Sequence, residues 1–189
     1  MFDKTIDKLV ILDRDGVINR DSKSFVKNLD EWIPLPGAIE AIAKLYRAGY
    51  RVAVATNQSG IARGLITPDA LERMHAHLTA LVAEAGGELA RIEVCPHGPD
   101  DGCACRKPLP GMLLSIRDAL GLTDLTTAWM VGDSLRDLQA GEAAGTRVAL
   151  VLTGNGEETL GKLGALEHPE RVARFASLAD FADRLLAEH

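Results

Sequence analysis

Positive charge is scarce in this chain. Lys and Arg number 21 against 27 Asp and Glu, a formal charge of −6. A protein without a basic face lacks the electrostatic footprint that nucleic acid requires, so no nucleic-acid partner is expected. Long apolar runs are missing too. None approaches the ~20 residues that cross a bilayer, so no membrane partner is expected. The opening Met1-Phe2-Asp3-Lys4 has no basic region leading into an apolar stretch; no secretory leader is expected, and the cytoplasm is the expected location. Repeats, low-complexity tracts and linker-like composition are also absent. One domain over residues 1–189, acting as a monomer, is the expected organisation.

Cysteine is sparse and unevenly placed. All three, Cys95, Cys103 and Cys105, fall within eleven residues. An odd, clustered set is a poor disulfide framework and a better metal site. Cys95-Pro96-His97 and Cys103-Ala104-Cys105 bracket the polar loop Gly98-Pro99-Asp100-Asp101-Gly102. Three thiolates and one imidazole make the Cys₃His set that tetrahedral Zn²⁺ takes, and four protein ligands leave no open position, so the ion would be structural. The alternative is three free thiols beside a loop histidine, which those Gly, Pro and Asp surroundings would expose. His75 and His77 read as ordinary surface residues of a helix.

What the chain does have is an alternation of apolar runs with helix-like segments. Leu9–Leu12, Val52–Ala55, Ile92–Val94, Trp129–Val131 and Val148–Val151 read as strands. Between them, 36–48 should bury Ile39, Ile42, Leu45 and Tyr46. The helix capped by Thr67-Pro68 should bury Leu71, Met74, Leu78, Leu81 and Val82. Helices over 111–120 and 135–144 follow, and a last one starts at Ser177 with Asp180 completing a capping box. Such alternation implies α/β architecture, a parallel sheet covered on both faces.

Four polar clusters stand where strands end or helices begin. Asp13-Arg14-Asp15-Gly16 follows the first strand; two carboxylates one residue apart repel unless a cation or a proton relieves them. The plain alternative is a βα turn. Thr56-Asn57-Gln58-Ser59-Gly60 offers a hydroxyl and turn amides to phosphate oxygens, or is simply a polar turn. Arg106-Lys107-Pro108 supplies two cations to oxyanions, or is a solvated basic pair. In Gly132-Asp133-Ser134-Leu135-Arg136-Asp137, Asp133 is either a site acid or a helix N-cap.

Taken in order (acid pair, Thr, Lys, acid), these clusters resemble the haloacid dehalogenase (HAD) superfamily of phosphohydrolases, over roughly residues 8 to 152. The resemblance implies a doubly wound, Rossmann-like parallel sheet in three layers, α/β/α, with the active site at its carboxyl edge. It makes Asp13 the nucleophile that forms an aspartyl-phosphate and Asp15 the proton donor and acceptor. Thr56 and Lys107 would hold the phosphoryl group. Mg²⁺ would be bound by the Asp13 carboxylate, the Asp15 carbonyl and Asp133.

The gaps after Gly16 and after the third strand are too short for a cap domain, so the site should be open. The zinc loop with Arg-Lys-Pro is similar to two branches, one acting on heptose bisphosphates and one on histidinol phosphate. Ser59-Gly60-Ile61-Ala62-Arg63-Gly64 and Pro110-Gly111-Met112 resemble the heptose branch. The short zinc loop departs from the longer loop of some of its members and matches the histidinol type. By this resemblance a small sugar bisphosphate is the partner. Asp21, Ser22, Lys23, Ser24, Asn57, Gln58 and Ser59 would contact the sugar, and Arg106 would meet the distal phosphate. A zinc-stapled binding protein without activity is the reading from another class; the complete set of Asp13, Asp15, Thr56, Lys107 and Asp133 counts against it.

Overall fold

Leu9–Leu12 forms β1 with every side chain buried. Successive strand side chains point to opposite faces. Val10 and Leu12 accordingly enter one core, Leu9 and Ile11 the other. The computed structural model describes residues 7–188, so Met1–Lys4, read above as carrying no leader, lie outside the described residues. β2 (Arg51–Asn57) and β4 (Trp129–Gly132) flank β1, and β3 (Arg91–Cys95), β5 (Arg147–Val151) and β6 (Ala173–Phe175) extend the sheet. The order is β3-β2-β1-β4-β5-β6, parallel throughout. This is the doubly wound arrangement, and its strand order reverses between β1 and β4.

Helices cover both faces. α1 (Ala38–Arg47), α2 (Pro68–Glu84) and α6 (Leu178–Ala187) pack on Val10, Leu12, Val52 and Val54. α3 (Gly111–Ala119) and α4 (Leu135–Ala144) pack on Leu9, Ile11 and Met130. A short α5 (Gly156–Leu160) follows β5. Thr67 caps α2 through Ala70 N–H, as its sequence suggests. Ser177 caps α6 through Asp180 N–H, but Asp180 takes the N–H of Ala176 rather than of Ser177. Among the described residues neither 13–37, with its single 3₁₀ turn at Leu29–Glu31, nor 96–110 contains an inserted domain. Loops, not a separate domain, border the cleft at the carboxyl edge of the sheet.

Three expectations need correcting. Tyr46 is 42% exposed, because the buried stripe of α1 runs through Ala38, Ala41, Ile42 and Leu45; alanines let the helix lie close to the sheet and turn Tyr46 outward. His75 is not a surface residue: it is half-buried with its ring against Arg14, whereas His77 is exposed and meets the edge of Trp32. The sheet also has a sixth strand, β6, which is only three residues long and too short for a periodicity to register.

Candidate active site and metal centres

The carboxyl ends of β1, β2 and β4 meet where the strand order reverses, and Asp13, Asn57 and Asp133 stand there. A cleft of about 310 Å³ opens above them. Lys107 reaches in from the loop before α3. Its Nζ donates to Asp13 Oδ1 at 2.9 Å, Asp137 Oδ1 at 2.7 Å and the Ala55 carbonyl at 2.8 Å, using all three ammonium protons. Asn57 fixes the backbone behind it, accepting from Lys107 N–H at 3.0 Å and donating to the Lys107 carbonyl at 3.1 Å.

Carboxylate oxygens of Asp13, Asp133 and Asp137 lie within 4.8 Å of one another, against that single buried ammonium. Burial, then the charge of Asp137, pushes Asp13 up to about 7 despite Lys107. Burial, then the charges of Asp13 and Asp137, pushes Asp133 up to about 9. Burial works the same way on Asp137, yet Lys107 and Ser134 outweigh it and hold that carboxyl below its ordinary value. Lys107 is raised, its two carboxylates outweighing desolvation. Asp13 and Asp133 are thus short of positive charge, a deficit that a hard divalent cation fits.

Asp133 is not the N-cap of α4. That role belongs to Ser134, in a capping box with Asp137. Asp133 Oδ2 instead accepts from Asn155 N–H at 2.8 Å, and Thr159 Oγ1 donates to the Asp133 carbonyl at 2.7 Å. Gly16 (φ +85°) and Gly154 (φ +56°) back onto the same carboxylate, and a Cβ at either would overlap Oδ2. Glycine is required at both for two reasons, the left-handed backbone and the close approach.

The Asp15 carboxylate has a different set of partners. Oδ1 accepts from Arg14 Nε at 3.0 Å, Arg14 Nη2 at 2.7 Å and Asn19 Nδ2 at 2.8 Å; Oδ2 accepts only from Gln58 Nε2 at 3.0 Å. Gln58 Nε2 also donates to Thr56 Oγ1 at 2.9 Å, so the buried Thr56 hydroxyl sits behind the acid.

The cysteines converge as their spacing suggests. Cys95 Sγ lies 3.7 Å from Cys103 Sγ and 3.1 Å from Cys105 Sγ; His97 Nδ1 is 3.6 Å and 3.3 Å from Cys95 and Cys105. Zn–S bonds of about 2.3 Å in a tetrahedron separate sulfurs by roughly 3.8 Å, so the donor set fits zinc in type and spacing. Burial, with the bonds from the neighbouring thiols, pushes Cys105 up to about 12. Ionised together, three sulfurs this close would need a cation between them.

Arg63, Arg106 and Arg136 also line the cleft. None forms an ion pair among the described residues, in an acidic protein. Burial, then the charge of Arg136, lowers the Arg106 pKa, and Arg63 adds to it. The Arg106 guanidinium is anchored on the Cys–His loop by a 3.2 Å bond to the His97 carbonyl.

Of the residues singled out in the sequence, Asp13, Asp15, Asp21, Ser22, Asn57, Gln58, Ser59, Arg106, Lys107 and Asp133 line the cleft. Thr56 lies beneath it. Lys23 borders a neighbouring depression with Arg20, and the Ser24 carbonyl accepts from Lys27 Nζ. Sequence reasoning missed Arg63 and Arg136, although both fall inside motifs it quoted, and it missed Asn155. No local signal ties Asn155 to Asp133; only the return of the chain after β5 does.

Residues 2–145 match the model of the family described as haloacid dehalogenase-like hydrolase. A D-glycero-beta-D-manno-heptose-1,7-bisphosphate 7-phosphatase of Pseudomonas aeruginosa is 57% identical over 178 residues, 94% of this chain and 97% of that protein. A phosphatase of the same name from Neisseria meningitidis is 52% identical, covering 96% of each chain. Among solved structures, the D,D-heptose 1,7-bisphosphate phosphatase of B. bronchiseptica, complexed with magnesium and phosphate, superposes with a TM-score of 0.91 at 52% identity. That match covers 96% of this chain and 99% of that one. By the extent of the family match and the identity of these relatives, the chain belongs to the haloacid dehalogenase-like hydrolases.

Proposed function

We propose that this protein is a magnesium-dependent phosphatase that removes the C7 phosphate of D-glycero-D-manno-heptose 1,7-bisphosphate, in the formation of nucleotide-activated heptose for lipopolysaccharide core. The relatives above support the substrate. The observation that carries it within the molecule is the cation content of the cleft. Besides its acids and Lys107, it is lined by three arginines that form no ion pair among the described residues. A bisphosphate presents a second anion for such arginines to meet. Histidinol phosphate carries an amine distal to its phosphate, which the arginines would repel.

In this reading Asp13 attacks phosphorus and forms the aspartyl-phosphate, with Lys107 and Thr56 offsetting and holding the phosphoryl charge. Asp15 protonates the leaving C7 oxygen and then accepts a proton from the attacking water. The Asp13 carboxylate, the Asp15 carbonyl and Asp133 would hold Mg²⁺, which when bound neutralises nucleophile and phosphate together. Cys95, His97, Cys103 and Cys105 would hold Zn²⁺, keeping Arg106 and Lys107 on a rigid loop. Arg106 meets the C1 phosphate, with Asp21, Ser22, Lys23, Ser24, Asn57, Gln58 and Ser59 around the sugar. A single domain, acting as a cytoplasmic monomer, goes with this reading.

Phosphate release from both C1 anomers of the bisphosphate and from histidinol phosphate, with Mg²⁺ present, tests it. The bisphosphate should be preferred by a wide margin in kcat/KM. A preference for histidinol phosphate would overturn the substrate, and no turnover of any ester would leave an inactive binding protein.

A further inference from the structure

Arg14 is fully buried, and its guanidinium has one carboxylate partner, Asp15. Nε and Nη2 both donate to Asp15 Oδ1, while Nη1 lies 3.2 Å from Nε2 of His75 on α2, 61 residues along the chain. A guanidinium only donates. Nε2 of His75 must therefore accept, which makes the imidazole neutral with its proton on Nδ1. We propose that His75 is a positioning residue for proton transfer: it fixes Arg14, and Arg14 with Asn19 locks Asp15 Oδ1, leaving Oδ2 as the oxygen that carries the proton. This rests on the phosphatase reading above and deepens it.

Several observations point the same way. Oδ1 takes three donors and Oδ2 one, so the two oxygens of Asp15 are not equivalent. An oxygen already accepting three hydrogen bonds has no lone pair left to carry a proton; Oδ2 has. Asp15 lines the cleft and its side chain is 21% exposed, so a reacting group can reach it. Burial, with the Arg14 charge, lowers His75 to about 4, in keeping with a neutral acceptor. His77 meets Trp32 from the same helix, so α2 grips the 13–37 segment at two points.

The step balances as follows. An Asp13 oxygen forms a bond to phosphorus while the bond from phosphorus to the leaving oxygen breaks, its electron pair staying on that oxygen. The proton on Asp15 Oδ2 moves to that oxygen, giving the alcohol and the Asp15 carboxylate. In hydrolysis of the aspartyl-phosphate, water bonds to phosphorus, the Asp13–phosphorus bond breaks, and the water's proton returns to Oδ2. A misaligned Oδ2 therefore matters most where the leaving group needs the proton.

The test compares kcat/KM, which reports formation of the phosphoenzyme, for heptose bisphosphate and for 2,4-dinitrophenyl phosphate, whose leaving group departs without protonation. His75→Met, of similar volume but without the acceptor, should lose about ten- to hundredfold on the sugar phosphate, a fraction of what general acid catalysis contributes, and less than about twofold on the aryl ester. His75→Gln restores an acceptor and should recover most of the loss. Equal loss on both esters, or no loss on either, overturns the proposal. So does a ¹⁵N spectrum of the unaltered protein with the His75 proton on Nε2, a measurement that stands even if His75→Met fails to fold. If the unaltered protein hydrolyses neither ester, it is the phosphatase reading that fails.

Discussion

At the scale of single residues, one buried ammonium faces three carboxylates whose environments pull their proton affinities apart. Lys107 and Ser134 hold Asp137 below its ordinary value, while burial and the neighbouring carboxylates push Asp13 and Asp133 up. Asp13→Asn keeps the shape and the bond to Lys107 but leaves an amide that does not attack phosphorus. Turnover should disappear while circular dichroism and melting temperature stay near those of the unaltered protein; near-normal activity would refute the covalent route. His75 makes a second, independent prediction. Its folded value of about 4 lies below the ordinary 6.5, so between those pH values the unfolded chain binds a proton that the folded chain refuses. Stability is therefore lost as pH falls through this window, and the loss levels off below about 4. His75→Gln has no such proton to take up, so its melting temperature should drop less between pH 7 and pH 5. An equal drop in both proteins would mean that His75 titrates normally.

At the scale of elements, the Cys–His loop joins a candidate metal site to the cleft. Residues 95–105 have little regular structure, yet they place Arg106 and Lys107 against the sheet edge. Metal analysis should find about one zinc per chain. Removing it should loosen the loop and weaken substrate binding, and Mg²⁺ alone should not restore activity. A zinc-free protein with full activity would contradict this. Elements with a strong local signal were legible in the sequence: β1 is one unbroken apolar run, α4 keeps the bounds 135–144, and Thr67-Pro68 starts α2. β6 and α5 were not. Ala173-Arg174-Phe175 becomes a strand only because β5 offers an edge to pair with, and α5 is a single short helix after Asn155.

At the scale of the whole molecule, the arginines arrive from three places: Arg63 after β2, Arg106 after the Cys–His loop and Arg136 on α4. All three line the cleft that also holds Asp13, Asp133 and Lys107. If Arg106 pairs with the C1 phosphate, Arg106→Ala should cost a charge-assisted contact of roughly 1.5–3 kcal/mol. That is about one to two decades in kcat/KM for the bisphosphate, and far less for a heptose monophosphate without the second anion. Lys107→Ala should impair both substrates alike, since its Nζ is bonded to Asp13, the nucleophile in this reading. Equal proportional losses in the two variants would show that Arg106 does not read the distal phosphate. By itself the sequence determined the α/β alternation, the strand ends that carry acids, and the Cys–His cluster, because each is written in neighbouring residues whose spacing is chemical. Only the tertiary structure decided that Asn155 buttresses Asp133, that Asn57 clamps the backbone of Lys107, and that His75 reaches Arg14. Those contacts join residues 22, 50 and 61 positions apart, and the order of strands in the sheet, not any local pattern, sets which distant loops meet.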